Sequence, residues 1–212
     1  MNNNIIKKLI IAFDKLNINY NEHTDLKKLS GGITNNIYLI EFGDKRYIIR
    51  NCGSNKIINR NLEFEILKEL SKYNITRKIL IQFEYGFIET YIDGKSISIN
   101  DFRNKKIISL LALKLNNLHS LKILEQNKPM LWDNISLWVR QCNTLYQDNE
   151  MLINLEKYIN KYKNLQKNIN SPVVLCHNDL TSGNVIHTID NDIKFIDFEY
   201  SSYNYRGFDI AN

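Results

Sequence analysis

Apolar residues recur along this chain in two rhythms, one helical and one alternating, and the switches between them mark its elements. Ile5, Ile6, Leu9, Ile10, Phe13 and Leu16 fall on one helical face, which predicts an amphipathic helix at the start. Two short β-rich runs, Ile37–Ile40 and Tyr47–Ile49, then flank Gly43-Asp44, a strong hairpin signal. Helical spacing returns with Ile58, Leu62, Ile66, Leu67 and Leu70. Ile79–Phe83 and Phe87–Ile92 read as two strands joined near Gly86. From Asp101 the pattern is mainly helical: Phe102, Ile107, Ile108, Leu111, Leu115 and Leu118 share a face that ends at His119, and further helices are expected around Ile135–Tyr146 and Met151–Leu165. Past Pro172 the rhythm shortens again, with strands expected at Val173–Cys176, Asn184–His187 and Ile193–Ile196. A small sheet with one helix thus precedes a helical block carrying short strands. That order suits a two-lobed kinase-like architecture with nucleotide between the lobes.

Composition changes this picture little. The 212 residues, 43% hydrophobic and 24% charged, can bury a real core in one or two domains. Abundant Asn, Lys and Ile read as the codon usage of an AT-rich genome, because apolar periodicity persists throughout. The net charge of +5 is spread along the chain. No basic stripe alternates with aromatics, so nucleic acid is not an expected partner. Cys52, Cys142 and Cys176 are odd in number and show neither a disulfide framework nor metal-ligand spacing, which points to a reducing compartment. No run approaches the ~18 apolar residues of a membrane span, and no leader cleavage site follows the opening apolar patch. His23 and His187 have no metal-like spacing, and Trp132 and Trp138 are expected to fill the core.

The chemistry concentrates in Cys176-His177-Asn178-Asp179-Leu180-Thr181-Ser182-Gly183-Asn184, followed by Phe195-Ile196-Asp197-Phe198-Glu199. Moving a γ-phosphoryl group needs a carboxylate to receive the acceptor's proton and oxygen ligands to hold Mg²⁺ on the phosphates. A His-x-Asp alone would read as an Asx-rich turn. With Asn184 at the right spacing, flanking strands and a second Asp after a short strand, it reads as Asp179 for the base or hydroxyl-orienting group and Asn184 and Asp197 for the metal. His177 is expected to brace the loop by hydrogen bonding.

Ser171–Asp179 and Ile196-Asp197-Phe198-Glu199-Tyr200-Ser201-Ser202-Tyr203-Asn204-Tyr205-Arg206-Gly207-Phe208-Asp209-Ile210-Ala211-Asn212 resemble the signature blocks of choline/ethanolamine kinases, within the aminoglycoside-phosphotransferase-like group. The resemblance implies an α+β, two-lobed protein-kinase-like fold, with a nucleotide-binding lobe and leading helix over 1–92 and a mainly helical catalytic lobe over 93–212. It also implies a truncated C-terminal lobe, because family members continue past Phe208–Asn212. The implied reaction is ATP- and Mg²⁺-dependent phosphorylation of choline or ethanolamine, the first step of phospholipid head-group synthesis, by an enzyme able to form a homodimer. Asp179, Glu199 and Tyr200 would meet the amino-alcohol, an anionic carboxylate and an aromatic face suiting an ammonium group.

Upstream, Ser30-Gly31-Gly32-Ile33-Thr34-Asn35 resembles the loop over the phosphates, giving Gly31, Gly32, Thr34 and Asn35 a nucleotide role. A plain turn is the other reading. Arg50 resembles the strand cation that pairs with phosphate, an always charged fork; a solvated strand-end Arg is the alternative. Glu63 is either its partner or an exposed helical glutamate. Thr90 to Ile92 resembles the hinge whose backbone meets adenine. His119 ends a helix, as in the family, and is expected to be structural. A non-catalytic nucleotide-binding remnant, and a kinase of another small alcohol, are the alternative functions.

Overall fold

The helical stripe at the start folds as α1 (Asn3–Asp14), with Leu9, Ala12 and Phe13 buried. The computed structural model describes residues 3–18, 26–29, 35–52, 58–83, 86–123, 128–146 and 150–212. After α1 come β1 (Lys27–Leu29), β2 (Asn35–Phe42), β3 (Lys45–Cys52), α2 (Arg60–Lys72), β4 (Ile79–Phe83), β5 (Gly86–Thr90), β6 (Gly94–Ser96) and α3 (Lys105–Ser120). The chain continues with α4 (Leu131–Leu145), α5 (Glu150–Gln166), β7 (Val173–Cys176), β8 (Val185–Thr188), β9 (Ile193–Phe195), β10 (Ser202–Tyr205) and α6 (Arg206–Ala211). These elements fall into two compact units, Met1–Lys114 with Ser182–Glu199, and Leu115–Thr181 with Tyr200–Asn212.

The first unit carries an antiparallel sheet in the order β1-β2-β3-β5-β4. Gly43, at φ +56°, turns β2 into β3, a left-handed conformation that favours glycine. One face of the sheet meets α1. Phe13 stacks at 5.4 Å on Phe42 and 6.0 Å on Tyr47, and Ile40, Ile49 and Ile88 complete the cluster. Each such buried side chain is worth about 1.5–3 kcal/mol over its exposed state. Ile66, Leu67 and Leu70 form the buried stripe of α2, whose first turn is capped by Asn59 accepting from the Leu62 N–H at 3.1 Å. Register places Arg50 opposite Phe87 and Asn51 opposite Gly86. A Cβ on Gly86 would lie 1.8 Å from the Arg50 carbonyl oxygen, so only glycine lets the two strands close there.

A second sheet in this unit runs β6-β8-β9. Its pairing explains why residues 182–199 join the N-terminal part of the chain: β6 pairs with β8, and the Phe195 N–H reaches the Ile75 carbonyl at 2.9 Å. The second unit holds α4, α5, the antiparallel pair β7–β10 and α6. The Arg206 N–H meets the Pro172 carbonyl at 2.8 Å where α6 starts.

Some local expectations shift. Phe102 is not on the face of α3; it sits in a one-turn 3₁₀ segment, Ile99–Arg103, and is 46% exposed. The Ser98–Asp101 capping box closes that turn, and Asn104 accepts from the Lys106 N–H to start α3 afresh. Trp132 and Trp138 are half-buried on α4, where Val139 is the buried side chain. Asn184 ends a 3₁₀ turn, and the strand begins at Val185. Among the described residues no helix is long and apolar enough to cross a membrane.

Candidate active site

In the first unit, Arg50 on β3 is 2% exposed, and its Nη2 faces two carboxylates, Glu63 of α2 at 3.3 Å and Asp197 in an ion pair. Glu63 is 2% exposed, so it is the buried partner of Arg50 and not a surface glutamate. Burial alone would lower the Arg50 pKa, but Asp197, Glu63 and Glu89 outweigh it and raise it above the usual arginine value. The guanidinium is a fixed positive charge. Burial also pushes the neighbouring Cys52 thiol up to about 11, with Glu63 adding to the effect, so this cysteine is a poor nucleophile.

Asp197 adopts a left-handed backbone, φ +68°, in the turn after β9. Its side chain is 30% exposed. The Ile196 N–H donates to the Asn184 carbonyl at 3.0 Å, which ties this turn to the residue that ends the 3₁₀ segment. Two residues on, the Glu199 carboxylate is 6% exposed; it accepts from Asn35 Nδ2 at 3.1 Å and meets Arg60 Nη1 at 3.3 Å. Arg60 also pairs with Glu63 at 2.7 Å. Asn35, Arg50, Arg60, Glu63, Asp197 and Glu199 therefore form one continuous polar network. Arg60 was not singled out in the sequence; its i,i+3 spacing to Glu63 was the available signal.

At the end of β5, the Thr90 N–H is donated to the Lys78 carbonyl at 2.9 Å and the Tyr91 N–H to the Arg46 carbonyl at 3.2 Å. Of the hinge backbone groups expected to meet adenine, the Thr90 and Tyr91 N–H groups are thus committed to backbone carbonyls. A cavity of about 520 Å³ opens beside this segment, its lining including Arg46, Tyr91, Asp93, Lys95 and His187. Gly31, Gly32 and Thr34 lie outside the described residues; Asn35 is the first described residue after them.

In the second unit, the loop after β7 is held by one carboxylate. Asp209 of α6, 3% exposed, accepts from the His177 N–H and the Asn178 N–H, each at 2.8 Å, and meets His119 Nε2 at 2.9 Å. Burial would raise the Asp209 pKa, but these three donors outweigh it and hold it below the usual carboxylate range. Asn178, at φ +66°, donates to the Tyr200 carbonyl and to Ser202 Oγ, each at 2.9 Å, and accepts from Asn204 at 2.7 Å. The Asp179 N–H reaches His177 Nδ1 at 3.3 Å, so the buried His177 ring braces the loop. Tyr200 lies edge-on to Trp138, 6.1 Å between centroids. Cys176 Sγ, His119 and Asp209 offer ligand atoms within 4.8 Å of one another. Burial and the neighbouring Asp209 raise the Cys176 pKa, and Asp209 is filled by N–H donors, so this trio is a hydrogen-bonded clamp and His119 is a part of it.

Each unit thus gathers part of the residues singled out in the sequence. Asn35, Arg50, Glu63, Asn184, Asp197 and Glu199 belong to the first, Asp179 and Tyr200 to the second.

The sequence model of the choline/ethanolamine kinases matches residues 26–212. A Dictyostelium discoideum protein named "Probable ethanolamine kinase A" is 35% identical over 211 residues, which cover 90% of this chain and 60% of that protein. An Arabidopsis thaliana protein named "Probable choline kinase 1" is 30% identical over 205 residues, covering 90% of this chain and 59% of that one. The solved ethanolamine kinase of Plasmodium vivax superposes with a TM-score of 0.84 at 31% identity, covering 98% of this chain and 65% of that chain. The chain spans about three fifths of the length of the curated relatives it matches.

Proposed function

We propose, from the premise that this chain belongs to the choline/ethanolamine kinase family, that it transfers the γ-phosphoryl group of ATP to the hydroxyl of choline or ethanolamine. The observation that carries the reading is the buried Arg50, held between Glu63 and Asp197 in the unit that also contains Asn184. A fixed guanidinium paired with a carboxylate, in a unit that also supplies an amide, is the equipment for phosphate oxygens and a hard cation.

The donor set fits Mg²⁺: Asp197 and Asn184 offer oxygen ligands, and the Ile196–Asn184 hydrogen bond ties their segments together. When bound, the metal would neutralise charge on the phosphates. Arg50 pairs with phosphate oxygens, with Glu63 fixing its fork. The loop containing Gly31, Gly32, Thr34 and Asn35 supplies backbone N–H groups to the same phosphates, and the backbone of Thr90 to Ile92 meets adenine. Asp179 takes the proton from the acceptor hydroxyl; the hydroxyl oxygen forms the new P–O bond as the bond to the β–γ bridging oxygen breaks and ADP leaves. Tyr200 offers an aromatic face to the ammonium group of the amino-alcohol; Glu199, the carboxylate expected beside it, is held by Arg60 and Asn35. The division into a nucleotide lobe over 1–92 and a catalytic lobe over 93–212, a cytoplasmic location and a homodimer belong to the same reading.

The test is ADP release by the purified protein with ATP and Mg²⁺, in the presence and absence of choline or ethanolamine. Release that depends on either amino-alcohol is the expected result. Folded protein that binds Mg²⁺–ATP and releases no acceptor-dependent ADP refutes the reading and leaves a nucleotide-binding remnant.

A further inference from the structure

We propose that the side chains of Arg60 and Asn35, acting through Glu199, are positioning groups for Asp197, setting the metal affinity of the site without themselves touching metal or phosphate. The inference rests on the metal role given to Asp197 above. It starts from the backbone. A left-handed φ of +68° at a non-glycine residue persists when its surroundings determine it. Both flanks of Asp197 are tied. On the N-terminal side, the Ile196 N–H is held by the Asn184 carbonyl and Phe195 is fully buried. On the C-terminal side Phe198 is fully buried, and the next side chain, Glu199, is gripped from two distant elements. Asn35 reaches it from the start of β2 and Arg60 from the first turn of α2.

Arg60 is the centre of this grip. One nitrogen, Nη1, lies 2.7 Å from Glu63 and 3.3 Å from Glu199, so a single guanidinium links the carboxylate that holds Arg50 to the carboxylate that ends the Asp197 turn. The bridge is a poor stabiliser. Arg60 Nε and Nη2 and Arg50 Nε are buried with no hydrogen-bond partner among the described residues. Incompletely satisfied buried charge is seldom retained for stability. What the bridge does achieve is a fixed spacing: Arg50 and Asp197, the cation and the anion of the site, are referred to the same helix terminus through Glu63 and Glu199. The arrangement also redefines Glu199. Its carboxylate is turned to Arg60 and Asn35, so its negative charge is already matched by a cation of this chain.

The experiment measures Mn²⁺ binding in the presence of a non-hydrolysable ATP analogue, by the loss of the free Mn²⁺ electron-resonance signal, on the whole chain. Arg60→Gln is expected to weaken Mn²⁺ binding by about 10-fold, the lower end for residues supporting a metal ligand, and Arg60→Lys by roughly 3-fold. Glu199→Gln, which preserves size and an acceptor for Asn35, carries the test if Arg60→Gln does not fold; about 5-fold weaker binding is expected there. The double variant Arg60→Gln/Glu199→Gln should be no weaker than the worse single one, since both cut one bridge. Binding of metal-free AMP should stay within about twofold of the parent in all variants, which a general loss of structure would not allow. Metal affinity unchanged in folded Arg60→Gln and Glu199→Gln, or effects that add in the double variant, overturns the positioning role while the metal site stands. Failure of the parent protein to bind Mn²⁺ with nucleotide overturns the metal assignment of Asp197 and this inference together.

Discussion

The turn that carries Asp197 and the loop that carries Asp179 each present an aspartate, and they are secured by opposite means. The Asp197 turn is held by charges: Arg50, Glu63 and Glu199 are nearly buried, Arg60 is half-buried, and the four depend on one another. The Asp179 loop is held by dipoles: backbone N–H groups of His177 and Asn178, with the His119 ring, converge on Asp209. Charge networks in low dielectric fail abruptly when one member is removed, because the rest stay buried and unpaired. A carboxylate accepting N–H groups is more forgiving to mutation and responds to pH instead. The region proposed for metal and phosphate is therefore rigid in charge, and the region proposed for proton transfer is rigid in backbone.

The largest effect should come from the chemical end of the second region. Asp179→Asn is expected to lower acceptor-dependent ADP formation by roughly 10²–10⁴-fold, the span of general-base contributions, with the circular-dichroism melt unchanged. In the first region, Arg50→Met should destabilise the fold by about 3–5 kcal/mol, read from urea unfolding, because Glu63 loses a buried partner. Glu63→Gln combined with Arg50→Met should recover part of that loss, and no recovery would break the comparison.

Asp209→Asn should cost less, about 1.5–3 kcal/mol, the worth of hydrogen bonds to a charged group. Its pH behaviour sharpens the contrast. The folded pKa of Asp209 lies below its unfolded value, ordinarily about 3.9. Its contribution is therefore complete above that value and is lost as pH falls through the depressed folded value. Urea midpoints should fall as pH drops below about 4 in the parent and fall less steeply in Asp209→Asn. The smallest effect is expected at Asp192, which pairs with Lys114 at 2.9 Å and Lys194 at 2.7 Å, its side chain 30% exposed. Asp192→Asn should change stability by about 1 kcal/mol or less in the same urea titration.

Much of this was legible locally. The Gly43-Asp44 turn, the stripe of α2 and the β-rich run before His177 depend on neighbours within a few residues, and such patterns survive without tertiary information. The spacing of Asp179, Asn184 and Asp197 was legible for the same reason. What was not legible is what closes over long separations. Glu199 meets Arg60 across 139 positions, and Asp209 meets His119 across 90. No periodicity encodes either meeting, so neither the partners of Glu199 nor those of Asp209 could be read from the sequence. Phe102 was misplaced for a different reason: a capping box at Ser98 and Asp101 interrupted an apolar face that otherwise ran on.

Gly86 carries a consequence for how such a chain can change over generations. Because any side chain there would collide with the Arg50 carbonyl, the position has no neutral neighbours in sequence space: even the single-methyl step to alanine meets backbone that cannot yield. A residue with no side chain thus sets the pace at which its charged neighbour can be explored by mutation.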